Sequence, residues 1–386
     1  MESNLTNLYK DYARNDVMTI EKAVAFLENE AVPRSFSEIV GKFCNTDDPQ
    51  KTLVEGLKNN HSDLAAGSVE KRVRSWFQGK HSLRKQDAIE LCFILHLTLE
   101  QADDFVSLIS EEKLHWRDPD EVADIFALQH GYSYDRAVSL KKKIKPILEV
   151  ADSQNQTKEI YYTSFIRKEI SAINTEEELE DYLTGSAWKF GKLHNNAYRL
   201  FMQRLKSLET PEVSYDDGEG ETLTIREILR EYMFESNVAY AKKKARYSLS
   251  NKGGEGKLVL SAIQKSVSSN WPDETTLSKM KSRKTDVTRK ALILLLMATE
   301  EGFRNGLDGE DTIMYGYEPS KEEVFDDVYG RLNQTLLDCG FATLDPRSPF
   351  DWMILYSICV QDMFDADIRM RMLFQTMFGE REEEGN

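Results

Sequence analysis

The sequence predicts an all-α protein, and three observations carry that expectation. Breakers are scarce: nine prolines and 20 glycines in 386 residues favour long helices over many strands and turns. Apolar residues recur at helical spacing along most of the chain, as Ile20, Ala23, Val24 and Leu27 do near its start. Sustained period-two alternation with turn signals is almost absent. The 40% apolar and 10% aromatic content marks a globular chain, long enough for two or three domains.

Taken in order, residues 1 to 33 read as a polar lead-in with one amphipathic helix, "TIEKAVAFLENEA". "PRSFSEIVGKFC" opens the next helix, with Ser35 or Ser37 as N-cap, and "DDPQKTLVEGLKNN" gives another with Pro49 in its first turn. "WRDPDEVADIFALQHGYSYDRAVSLKKKIKPILEV" reads as two helices broken at Gly131. The polar "EVADSQNQTKE", near 149 to 159, is the expected boundary between a helical domain at 1–150 and a helical regulatory or assembly region at 160–386. Beyond it, "PEVSYDDGEGET" and "SNKGGEGK" are loops between amphipathic segments. "TRKALILLLMATEEG", "KEEVFDDVYGRLNQTLLDCG" and "FDWMILYSICVQDMFDADIRMRMLFQTMF" are helices. "DPRSP" is a rigid entry to the last of these, and Trp188, Phe190, Tyr198, Phe350 and Trp352 are expected core anchors.

Catalytic and metal patterns find no match. "NKGGEGKL" has Asn251 at the first glycine position of a phosphate loop and Leu258 where a hydroxyl is required. "YDDGEGE" and "LDGEDT" lack the alternating oxygen ligands of a calcium loop. The six histidines form no HExxH pattern, and His96 is expected in the core. No catalytic residue, metal ligand or cofactor is therefore assigned. Cys44, Cys92, Cys339 and Cys359 are widely spaced and read as buried thiols. "ALILLLMA" and "WMILYSICV" are too short to cross a bilayer and no apolar leader opens the chain, so the expectation is a cytoplasmic protein with no membrane partner.

Charge is the informative property. The net charge is -16, yet Lys71, Arg72, Arg74, Lys80, His81, Arg84 and Lys85 gather within "VEKRVRSWFQGKHSLRKQDAIELCFIL". On a helical wheel Val69, Val73, Trp76 and Phe77 share one side, while Lys71, Arg74, Ser75 and Gln78 share the other. Ser68 is a cap candidate, Gly79 ends the helix in a left-handed turn, and a helix apolar nearly all round follows. A short helix with one buried and one basic stripe, braced by a buried helix, suits the major groove of DNA. Residues 241–290 are also strongly basic and those after Thr299 strongly acidic. Either a nucleic-acid face or pairing inside the fold accounts for that asymmetry.

"SVEKRVRSWFQGKHSLRKQDAIELCFILHLTLEQADDFV" resembles the helix-turn-helix domain of lambda-repressor-like (XRE-type) regulators over about residues 50 to 108. The resemblance rests on an exposed Ser followed by basic residues on the third helix, an aromatic before Gly79-Lys80, and the buried helix closing in "ILHLTLEQADDF". It implies that Ser68, Lys71, Arg74, Ser75 and Gln78 face DNA; the local positive cluster adds Lys80 and Arg84 to the expected nucleic-acid contacts. The sequence departs from the family in two places: "DLAAG" stands where a Gln usually opens the second helix, and "PQKTLVEGLKNNHS" is a poor copy of the family's first helix. "TTLSKMKSRKTDVTRKALILLLMAT" echoes the same arrangement of basic turn and apolar helix; duplication and chance both account for it. The expected function is that of a DNA-binding regulator whose C-terminal region serves effector response or assembly, with double-stranded DNA as partner. The alternative is a protein-interaction scaffold, with a protein partner or a second copy of the chain.

Overall fold

The computed structural model describes residues 4–15, 18–152, 163–210, 222–250, 260–299, 320–360 and 364–379. Among them are twenty α-helices and a short 3-10 turn at Ala187–Lys189; no strand occurs, only an isolated bridge between Glu112 and Phe341. The all-α expectation is met. The loops "PEVSYDDGEGET" and "SNKGGEGK" and the "YDDGEGE" and "LDGEDT" turns lie almost wholly outside the described residues.

The contacts divide the chain elsewhere than at the expected 1–150 and 160–386. One compact unit is Arg34–His194 with Gly340–Ala342; the other is Met1–Pro33, Asn195–Cys339 and Thr343–Asn386. Most of the expected boundary stretch lies outside the described residues, but the helices after it pack backwards. Ile166, Ile170, Ile173, Leu179, Leu183 and Phe190 belong to the same buried cluster as Val73 and Ile89. The helix expected near residue 20 joins the other unit.

The unit around 34–194 contains α3 (Phe36–Phe43), α4 (Pro49–Asn60), α5 (Ala66–Phe77), α6 (Lys85–Ile94) and α7 (Leu99–Ser110). It continues with α8 (Pro119–Gln129), α9 (Tyr134–Asp152), α10 (Thr163–Ser171) and α11 (Glu176–Gly185). Local sequence starts and stops these helices. Ser35, the side chain of Asp48 and the Thr98–Gln101 capping box satisfy opening N–H groups; Gly131, at φ 65°, separates α8 from α9. Helix α8 is buried nearly all round and carries two acids inward: Glu121 meets Lys85 at 2.8 Å and Asp124 meets Lys141 at 2.6 Å. Burial pushes the Asp124 carboxyl up to about 6, with the Lys141 charge opposing that shift. A carboxyl raised in the folded state contributes stability below its unfolded value and loses it as pH rises through the folded value. Stability relative to an Asp124→Asn variant should therefore fall between about pH 4 and pH 6, as urea titrations across that range would show.

The other unit begins with α1 (Asn4–Ala13), which the polar character of its sequence concealed, and α2 (Ile20–Asn29). It resumes with α12 (Asn195–Glu209), α13 (Ile225–Glu231), α14 (Glu235–Ser250), α15 (Ala262–Ser268), α16 (Glu274–Lys281) and α17 (Arg289–Ala298). It closes with α18 (Lys321–Asp338), α19 (Pro349–Ile358) and α20 (Phe364–Phe378). Helix α19 is buried on every side and holds the two ends of the chain together. Its Trp352 indole donates to the Tyr9 carbonyl at 2.9 Å, and the Tyr356 hydroxyl donates to the Met18 carbonyl at 2.8 Å. Phe190, Phe350 and Trp352 are core residues as expected, whereas Trp188 and Tyr198 are only half-buried. All four cysteines are buried thiols, and burial pushes Cys339 up to about 12. No described helix is long and apolar enough to cross a membrane.

Candidate nucleic-acid interface

Helices α4 and α5 are joined by residues 61–65 and pack against each other; α4 also packs on α6, to which the Arg72–Asp87 pair ties α5. The close approach depends on Gly56, where a Cβ would overlap Ile94 of α6. Asn60, at the end of α4, donates its side-chain amide to the buried Glu90 of α6 at 3.0 Å. Gly56→Ala should cost about 1–3 kcal/mol, the usual penalty for overpacking a dense core, measured by chemical denaturation.

Helix α5 buries Val69, Val73 and Trp76, and the Phe36 ring lies 6.1 Å from that of Trp76. Its start differs from expectation: Ala65 is the N-cap and offers no side-chain acceptor, so Ser68 lies in the first turn and not at the cap. "DLAAG" forms the turn into α5. Its end is as expected. Gly79 has φ 63°, its N–H reaches the Trp76 carbonyl at 3.0 Å, and the Lys80 N–H reaches the Ser75 carbonyl at 3.0 Å. This paired closure sends Lys80 and His81 into solvent beside the exposed face.

Ser68, Lys71, Arg74, Gln78, Lys80 and Arg84 are all exposed; Ser75 is half-buried, its hydroxyl donating to the Arg72 carbonyl at 2.7 Å. The nearby acids are already engaged. Glu70 pairs with Lys58 at 2.7 Å. Asp87 takes Arg72 at 2.7 Å and both the Nε and an Nη of Arg84. Burial alone would raise the Asp87 carboxyl, but the hydrogen bonds and charges of Arg84 and Arg72 hold it below its ordinary value. Arg72 also lies over the Trp76 ring, 4.9 Å from its centre. Lys85 turns inward to Glu121 and Glu112 and faces no solvent partner.

Lys71, Arg74, Lys80 and His81 thus remain without an ion pair to any described residue, with Asp63 the exposed acid in the turn before them. The Arg84–Asp87 pair was legible from its three-residue spacing at a helix start. The Lys58–Glu70 pair and Gly56 were not, because both depend on how α4 lies against its neighbours. His96, expected in the core, is exposed at φ 51° just past the end of α6, where it occupies the left-handed closing position.

In the other unit part of the basic stretch of 241–290 is engaged inside the fold. Arg289 makes two 2.8 Å bonds to Asp351, Lys281 meets Glu209, and Lys290 donates to the Val267 and Ser269 carbonyls. Lys243, Lys244, Lys265, Lys279 and Lys284 are exposed, as is Arg283, whose guanidinium donates to the Asn195 side-chain oxygen and lies 4.5 Å from the centre of the Tyr198 ring; Lys252 and Lys257 lie outside the described residues. The chain matches no family model, curated protein or solved structure.

Proposed function

We propose that the chain is a DNA-binding regulatory protein that contacts duplex DNA through α5 and the turn after it. The observation that carries this reading is the exposed set Ser68, Lys71, Arg74, Gln78 and Lys80, on the side of α5 opposite Val69, Val73 and Trp76. Pairing of Glu70 and Asp87 leaves that face positive in a chain of net charge -16, which phosphate would otherwise repel. The α4–turn–α5 succession, braced by buried α6, supports the likeness to XRE-type regulators, in which the second helix of such a pair enters the major groove.

Each residue has a distinct role. Lys71, Lys80 and Arg84 neutralise phosphates, and Arg84 does so with its charge shared with Asp87. Arg74 in the last turn and Gln78 at the C-cap reach base edges, while Ser68 and the uncapped N–H groups of the first turn approach the backbone. Fluorescence anisotropy over a salt series separates these roles. Lys71→Ala and Lys80→Ala should each lower the slope of log affinity against log salt by about one. Arg74→Ala should cost about 1–3 kcal/mol on a selected sequence and little on random DNA. Equal slopes for wild type and both lysine variants would refute the assignment.

A further inference from the structure

The two units carry one helical arrangement twice, in matching register. In the first, α5 closes through Gly79, whose N–H reaches the Trp76 carbonyl while the Lys80 N–H reaches Ser75. In the second, α16 closes through Arg283, at φ 54°; its N–H reaches the Met280 carbonyl while the Lys284 N–H reaches Lys279. The sequence offset from Gly79 to Arg283 is also the offset from Lys85, first residue of α6, to Arg289, first residue of α17. Each of those first residues is drawn inward to an acid: Lys85 to Glu121 and Arg289 to Asp351, both at 2.8 Å.

Those two acids hold one position in their own helices. Asp118 and Ser348 are N-caps, Pro119 and Pro349 follow, and Glu121 and Asp351 come two residues later. Glu121 accepts from the His115 N–H at 2.6 Å, and Asp351 from the Asp345 N–H at 2.8 Å, across the same number of residues. The Leu114 N–H donates to the Asp103 side chain at 2.9 Å, and the Leu344 N–H to the Asn333 side chain at 2.8 Å. All of these correspondences share a second constant offset, which also carries the start of α9 onto the start of α20. The two offsets differ because the sequence between α17 and α18 is longer than that between α6 and α7 and because α18 extends further at its start than α7. A basic cap on a buried helix recurs by chance; a buried ion pair, two side-chain clamps on backbone N–H groups and a helix closure, falling on only two constant offsets, do not.

We infer that the second copy repeats the binding face of the first: α16 and its closing turn, with exposed Lys279, Arg283 and Lys284, form a second contact site for duplex nucleic acid. The inference rests on the DNA-binding reading above. The exposed positions correspond: Lys80 to Lys284, Arg74 to Ser278 and Gln78 to Ser282, all in solvent, above buried Val73 and Trp76 in one copy and Leu277 and Met280 in the other. The second face has cations at its exit and short hydroxyl side chains where the first has Arg74 and Gln78. It therefore holds phosphates and does not read bases.

The test uses the full-length chain, a random-sequence duplex and anisotropy over a salt series. Relative to wild type, Lys279→Ala/Lys284→Ala should lower the salt slope by about two, as should Lys71→Ala/Lys80→Ala, with melting unchanged in both. Lys279→Arg/Lys284→Arg should keep the wild-type slope. A lowered slope for the first-face variant with a wild-type slope for Lys279→Ala/Lys284→Ala would overturn the second site and leave the first. The reverse would overturn the first face alone. Absence of binding by wild type at low salt would overturn both.

Discussion

Asp351→Ala should destabilise its unit by about 3–5 kcal/mol, because it leaves the Arg289 guanidinium buried without its carboxylate. Both side chains of this pair are buried, and the carboxylate also accepts the Asp345 N–H, so removal breaks two links at once. The Thr343 carbonyl, which Arg289 also reaches, cannot neutralise the charge. Replacing both partners by apolar residues of similar size, as in Arg289→Met/Asp351→Leu, should recover most of the loss. Urea denaturation of the single and double variants measures the difference. A single variant within 1 kcal/mol of wild type would show that the pair does not hold α17 to α19.

Truncation should have the other large effect. A fragment of residues 34–194 should unfold in one cooperative transition, whereas a fragment of residues 1–150 should be loose and prone to aggregate. The shorter choice removes Ile166, Ile170, Leu179, Leu183 and Phe190 from a core that reaches from Ile39 to Phe190. It also retains α1 and α2 without α19, to which Tyr9 and Met18 are bonded through Trp352 and Tyr356. Exposing several fully buried apolar side chains at about 1.5–3 kcal/mol each exceeds the margin of a typical domain. Differential scanning calorimetry of both fragments decides the matter. A sharp transition for 1–150 and none for 34–194 would restore the boundary at 149–159.

These outcomes bear on what the sequence could disclose. Helix class, most helix starts and the Gly79 closure were legible because they depend on neighbours within a few residues: a cap hydroxyl, a proline at the first position, a glycine that tolerates φ 63°. The buried and exposed sides of α5 were legible for the same reason. The domain division was not, because it is set by the bond between Tyr9 and Trp352 and by a core that includes both Val73 and Ile170, which no local pattern encodes. Lys85 illustrates the limit. It looked like one more member of the basic cluster, yet Glu121, far along the chain, draws it inward. The same holds for Arg289 and Asp351. Charges near one another in sequence were counted together, while the fold pairs several of them with distant acids. The second copy of the arrangement was visible only as a basic turn before an apolar helix until its hydrogen bonds gave it a register.

Lysine footprinting on the intact protein tests most directly whether the exposed side of α5 meets duplex DNA. The protein is acetylated briefly at low salt with and without a random duplex, and each lysine is read by mass spectrometry. Lys71 and Lys80 are exposed and unpaired, so they should label freely alone and lose most of their reactivity with DNA. Lys85, half-buried and paired with Glu121 and Glu112, should label less than Lys71 and Lys80 in both states and serves as the internal control. Protection of Lys71 and Lys80 that fades as salt rises is the result expected. Unchanged labelling of both, with duplex in excess at low salt, would contradict the DNA-binding reading and leave α5 as a surface for a protein partner.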